Sequence, residues 1–230
     1  MEDKDSGIDP KAVLNSVIEI VQAVIRDPVS FYRQMPRAGG YSDPLIFAVV
    51  LGLAAGIVRA VLSPLGFMAH GFFATALAII IITPIMTGLL SFVAAGILFL
   101  IWQLMGSHQP YEVSYRCAAY ALAISPITAA IGIIPYLGTL IGLAWIAFIY
   151  VCASVEVHGI RPKSAWIVFG ALFIILSFAC ISLQHSARSF QHKMDKVGKK
   201  LSEIDKMKPG EAGQAVGEFL KGMEKGINKK

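Results

Sequence analysis

Apolar residues follow two different patterns along this chain. From Pro10 to Arg26 they recur at three- and four-residue steps, as Val13, Leu14, Val17, Ile18, Val21, Val24 and Ile25. That spacing predicts an amphipathic helix with Lys11, Asn15, Glu19, Gln22 and Arg26 on its polar face. Its length and mixture suit a membrane surface but cannot span a bilayer. From residue 44 onward the periodicity gives way to near-continuous apolar runs. Residues 44–62, 117–134, 137–157 and 164–183 each have the length that ~1.5 Å per residue needs to cross ~30 Å of hydrocarbon. Residues 72–105 are too long for one straight crossing and leave nothing to spare for two. Thr83-Pro84 predicts one long helix kinked at Pro84, or a short interfacial piece followed by a span from Pro84 to Met105. The pattern as a whole predicts an all-α, polytopic transmembrane helical bundle of about five spans, with amphipathic helices before and after it.

Local punctuation refines the boundaries. Asp-Pro occurs at 9–10, 27–28 and 43–44. Aspartate is a good N-cap, and proline at the next position sacrifices no helical hydrogen bond, so each pair predicts a helix start. The second such helix, over residues 28–35, places Phe31, Tyr32 and Arg33 where an interfacial aromatic belt would lie. Pro36 and Gly39-Gly40 then break the chain before the first span. Trp102 and Gln103 are expected at the membrane interface. Ile134-Pro135-Tyr136 leaves almost no loop, so spans three and four form a tight hairpin. Beyond Gln184, Phe190, Met194, Val197, Leu201 and Ile204 make a short heptad seam, and a second amphipathic stretch follows Lys208-Pro209-Gly210. Three regions result: an interfacial N-terminal segment (1–43), a five-span domain (44–183) and a basic helical tail (184–230).

Composition agrees with lipid as the solvent. The chain is 56% hydrophobic and only 15% charged. Residues 44–183 hold just Arg59, Arg116, Arg161, Lys163, Glu112 and Glu156, too few charges to clothe a water-soluble surface. The net charge of +5 resides in the tail, where eleven basic residues face six acidic ones. That tail suits anionic lipid or a protein partner; nucleic acid is not indicated. Homo-oligomerisation is open, since Gly52 and Gly56 form a small-x-x-x-small pair suited either to intramolecular packing or to dimerisation. Cys117, Cys152 and Cys180 lie 35 and 28 residues apart in apolar runs, which fits small hydrophobes better than a disulfide or zinc. The acidic start lacks the apolar core of a signal peptide, so the first span is expected to direct insertion.

Ionisable residues within an apolar bundle are the natural functional candidates. Glu156, near the end of the fourth span, has His158 two residues on. A carboxylate and an imidazole could act as acid and base or as metal ligands. The simpler expectation is a helix-end ion pair or hydrogen bond, with Arg161 and Lys163 in the adjacent loop and Arg116 as a partner on the same membrane side. Arg59 closes the first span, where it can snorkel to the interface. Pro84, Pro126 and Pro135 are helix breaks that could serve packing or, as in transporters, a binding site. The apolar region contains no H-E-x-x-H, G-x-S-x-G, P-loop or carboxylate pair, so no catalysis, metal or cofactor is expected.

Three stretches resemble the Yip-domain family of Ypt/Rab-interacting integral membrane proteins. They are Asp27-Pro28 with Phe31-Tyr32, Gly39-Gly40 and Asp43-Pro44-Leu45; residues 120–126 (YALAISP) with Ile134-Pro135-Tyr136-Leu137-Gly138; and Glu156-Val157-His158-Gly159. The resemblance covers about two-thirds of the chain and implies five spans. Eukaryotic members carry an aspartate-led D-L-Y/W-G-P motif before the first span, of which only Asp43-Pro44 stands here. The chain is therefore similar to the bacterial branch, and Rab binding transfers poorly. What the resemblance implies is residence in a bacterial cytoplasmic (inner) membrane. The functional expectation is a non-enzymatic protein that organises membrane or partners, with a small-solute or ion transporter as the alternative. With the N-terminus inside, five spans put Arg116, Arg161 and Lys163 on the cytoplasmic side and the tail outside.

Overall fold

The computed structural model describes residues 10–62, 72–132, 134 and 136–205. Eight α-helices run through them: α1 (Pro10–Arg26), α2 (Pro28–Gln34), α3 (Ser42–Leu62), α4 (Phe72–Leu104), α5 (Tyr111–Tyr120), α6 (Ser125–Ile131), α7 (Leu137–Glu156) and α8 (Pro162–Asp205). A four-residue 3₁₀ turn, Ala121–Ile124, joins α5 to α6. Among the described residues there is no strand. The chain is an all-α polytopic transmembrane bundle. It divides into two compact units, Met1–Ala179 and Cys180–Lys230.

Among the described residues four helices are long and apolar enough to cross a membrane: Ser42–Leu62, Ala76–Leu104, Leu137–Glu156 and Pro162–Lys196. Their outer faces hold large hydrophobes with no protein cover, such as Ile81, Ile85, Leu89, Val93, Ile97 and Leu100 of α4. Stripes of exposed isoleucine and leucine at helical spacing have acyl chains as their solvent. Residues 72–104 form one helix, with Pro84 inside it, as one of the two sequence readings has it.

The expected third span differs. In place of one helix over residues 117–134, the chain forms α5, the 3₁₀ turn and α6, beginning at Tyr111. Pro126 lies in the first turn of α6 and has no N–H to return to the preceding turn, which interrupts the α-ladder there. Hydropathy also places the start too late. The polar residues 111–116 look like a loop in sequence, yet Val113 to Tyr120 are all buried in protein. Neither α5 nor α6 is among the helices long and apolar enough to cross a membrane by itself.

Neighbouring helices run antiparallel. A Cβ on Gly52 would meet Thr87 and Pro84, on Gly56 it would meet Thr83 and Ile79, and on Gly88 it would meet Val49 and Leu45. Rising numbers on α3 thus face falling numbers on α4. At Gly52 that Cβ would come within 2.9 Å of the Pro84 Cα, so the two backbones touch where α4 carries its proline. The small-residue pair in α3 therefore serves contact within the chain. At the α6–α7 hairpin Gly138 packs directly on the backbone of Gly132. Up-and-down packing brings residues 35–41, 105–110 and 157–161 to one end of the bundle.

The Asp27-Pro28 start is as expected: the Asp27 carboxylate accepts a hydrogen bond from Ser30 N at 3.0 Å. That bond holds the Asp27 carboxyl below its ordinary range. The Asp43-Pro44 pair differs by a residue, since α3 opens at Ser42 and Asp43 lies in its first turn. Asp9, Ile133, Pro135 and the second amphipathic stretch expected in the tail lie outside the described residues, as do residues 63–71.

The close α3–α4 approach gives a direct expectation. Gly52→Val should lower the thermal midpoint of the purified protein by an amount corresponding to about 1–3 kcal/mol of overpacking. Gly96→Val, which faces open space, should leave it nearly unchanged in the same detergent melt. Equal effects would refute the contact.

Candidate functional site at the polar end of the bundle

The polar groups of the bundle gather at the end formed by residues 35–41, 105–110 and 157–161. The N-terminal segment reaches that end through α1. Val17 and Val24 are buried, with Val13, Ile20, Val21 and Ile25 packed alongside them. Leu14 and Ile18, on the flank of the same stripe, stay exposed. The stripe read as a membrane-surface face thus docks in large part on the 3₁₀ turn and α5.

Helix α2 completes the docking. Tyr32 is 1% exposed, and its hydroxyl donates to the Cys117 carbonyl at 3.2 Å. Phe31 packs edge-on against both Tyr32 and Tyr120. These aromatics, expected in a lipid-facing belt, instead insert into protein. Arg33 remains on the surface and reaches the end of α7, where Nε lies 2.8 Å from Glu156 Oε2 and a second nitrogen lies 3.2 Å from Oε1. The Glu156 carboxylate is therefore held by a two-pronged bond to a residue 123 positions away. Arg116, Arg161 and Lys163, the partners expected from sequence, do not form it.

Arg116 has another task. It is 2% exposed, one turn into α5, and one terminal nitrogen donates to the Gly40 carbonyl at 2.9 Å. Its Nε lies 3.5 Å from Glu112, an ion pair too long for a hydrogen bond. Glu112 in turn accepts from the Gly40 N–H at 2.7 Å. The i,i+4 pair on α5 thus grips both backbone groups of one glycine. Gly39 and Gly40 have φ of +128° and +79°, and a Cβ on Gly39 would come 2.8 Å from the Arg116 guanidinium. Only glycine combines that backbone with that clearance.

A second polar group lies across the same end. Trp102 is 1% exposed, so it is enclosed by protein and not placed at the lipid interface as expected. Its indole N–H donates to Ser154 Oγ at 2.8 Å, which donates to the Tyr150 carbonyl at 2.6 Å. The His158 ring stacks on the indole at 3.9 Å between centroids. His158 Nδ1 lies 2.7 Å from Ser107 Oγ, which also accepts from Gln109 N. Nε2 is buried without a hydrogen-bond partner among the described residues. Burial, aided by the nearby Arg37 guanidinium, pushes the His158 pKa down to about 4.

The remaining candidates do not join this cluster. Arg59 is exposed in the last turn of α3, roughly 26 Å along the helix from Ser42. Pro84 contacts α3, and Pro126 opens α6. Cys117 and Cys152 are buried and free, as small hydrophobes would be. Glu156 and His158 are two residues apart, yet their side chains bond to different elements, Arg33 of α2 and Ser107 after α4. Among the described residues no three His, Cys, Asp or Glu side chains converge on a point that could hold a metal. Sequence reading missed Arg33, Gly40, Glu112, Trp102 and Ser107 as members of the cluster. Their links cross 51 to 123 positions, for which local periodicity has no signal.

Two outcomes follow from this geometry. Arg33→Gln and Glu156→Gln should each lower the thermal midpoint by a few degrees. The double variant should fall no further than the weaker single, because the pair is broken once only. For His158, the folded pKa is depressed below the unfolded value near 6.5. Below pH ~6.5 the unfolded chain binds a proton that the folded chain refuses until pH ~4. Stability should therefore fall as pH drops through that window, by up to about 3 kcal/mol. His158→Phe, which keeps the stack on Trp102 but cannot titrate, should flatten that part of the melting profile.

Comparison with known proteins supplies the remaining finding. No curated protein and no solved structure matches the chain. The Yip1 domain, however, matches residues 23–183, about 70% of the sequence, from the last turn of α1 into α8. The matched region includes Arg33, Gly40, Glu112, Arg116, Glu156 and His158. This chain is an integral membrane protein of the Yip1-domain family.

Proposed function

We propose that the chain is a non-enzymatic membrane scaffold of a bacterial cytoplasmic membrane, acting through its docked N-terminal segment and its basic tail. The observation that carries this reading is how the ionisable groups of the bundle are spent. Glu156 is bonded to Arg33, and Glu112 with Arg116 holds Gly40. A proton or ion carrier relies on acids left available along its path, commonly several of them. Here the acids of the apolar region tie a pre-membrane segment to the end of the bundle. The packing of Phe92 on Tyr115 at 4.1 Å likewise fills the space between α4 and α5 with stacked rings.

Placement of that end in the cytoplasm follows the same logic. Arg37, Arg161 and Lys163 all belong to it, and short loops rich in arginine and lysine stay inside. The basic charge of residues 184–230 suits anionic lipid or a protein partner.

The rival reading is a small-solute or ion transporter, favoured by the broken segment around Pro126. Purified protein in liposomes, assayed for potassium, sodium, chloride and proton flux, separates the two. The scaffold reading expects flux equal to that of empty liposomes. Saturable flux that is lost in Glu156→Gln, in a sample that still elutes as a single species, would establish the transporter.

A further inference from the structure

The turn from α7 into α8 holds an open cavity of about 510 Å³ lined by Arg161, Pro162, Lys163, Ser164 and Ile167. We infer that this cavity binds the phosphate of an anionic phospholipid, with its acyl chains running down the outer face of α7 and α8. The inference does not depend on the scaffold reading, since transporter and scaffold alike would sit in lipid.

Three observations converge on that occupant. Both cations are exposed, and neither has an ion-pair partner among the described residues, because Glu156, the nearest acid in sequence, is taken by Arg33. Two uncompensated charges on one open wall draw an anion. Part of the lining is apolar: Pro162 and Ile167 contribute to it, Ile167 is 71% exposed, and the neighbouring Trp166, 55% exposed, lies against Phe148 of α7 with ring centroids 6.5 Å apart. A small free anion gains nothing from such a wall, whereas a phospholipid fills it. The site also lies at the first turn of a helix long and apolar enough to cross a membrane, where headgroups are expected, with Trp166 one turn further on. Arginine grips phosphate in bidentate fashion and lysine adds a point charge, so the pair holds a phosphodiester without reading the rest of the headgroup.

The test uses the full-length protein in neutral detergent, incubated with dioleoyl phosphatidylglycerol or dioleoyl phosphatidylcholine. Retained lipid is then counted by native mass spectrometry. The wild type should prefer phosphatidylglycerol by roughly thirtyfold, the ratio expected of two juxtamembrane cations. Arg161→Gln and Lys163→Gln should each lose about fivefold of that preference, and the double variant nearly all of it. The charge-conserving exchange R161K/K163R should retain it, as should K196Q/K199Q in the tail. A wild type without preference overturns the proposal, as does a double variant that keeps it. Displacement of the lipid by equimolar glycerol phosphate would equally overturn it, because the apolar wall would then contribute nothing.

Discussion

The rest of the bundle depends on the burial of α5. Eight consecutive residues, Val113 to Tyr120, are enclosed by protein on every side, and one of them is an arginine. A guanidinium away from water costs several kcal/mol unless its donors find acceptors. Neither lipid nor the apolar faces of α3 and α4 can supply them. The Gly40 carbonyl supplies an acceptor, and the Glu112 carboxylate one turn earlier lies 3.5 Å from Nε as a compensating charge. The loop before α3 is therefore pinned to α5.

Once that loop is fixed, the N-terminal segment has little freedom. Gly40 offers its carbonyl to Arg116 and its N–H to Glu112, which sets the entry to α3. Upstream, Tyr32 donates to the backbone of α5, and Arg33 closes on Glu156. The same end of the bundle is thus tied together by α2, α5 and α7, elements far apart in the chain. The His158–Trp102–Ser154 group adds α4 to that set, with a neutral imidazole filling the gap. The Tyr32–Cys117, Trp102–Ser154 and Ser107–His158 bonds are buried, and bonds shielded from water specify an arrangement more sharply than apolar contact does.

The lipid-facing side obeys the opposite rule. Association of α3 with α4 rests on glycines that let backbones touch, because hydrocarbon tails leave no hydrophobic drive between helices. The long-range polar links gather at one end, close contact runs along the middle, and isoleucine and leucine are prominent on the outer surface. That separation explains why a domain with so few charges can still fold to one arrangement.

Much of this was legible in the chain. Helical class, lipid as solvent, the α1 stripe, the Asp27 cap and the family resemblance all rest on local spacing or composition, which act over one or two turns. Glu156 and Arg116 were also visible as costly residues in need of partners. The sequence could not say which partners, because ion-pair geometry depends on how helices are brought side by side. Tertiary structure alone decided that Arg33 reaches Glu156, that Arg116 holds a glycine backbone, and that Trp102 and Tyr32 face protein. It also decided that the polar stretch 111–116 is the start of the most buried helix, where hydropathy reads a loop. Hydropathy measures what a residue would choose if only lipid and water were offered; the folded bundle offers protein as a third solvent, with hydrogen-bond partners already in place.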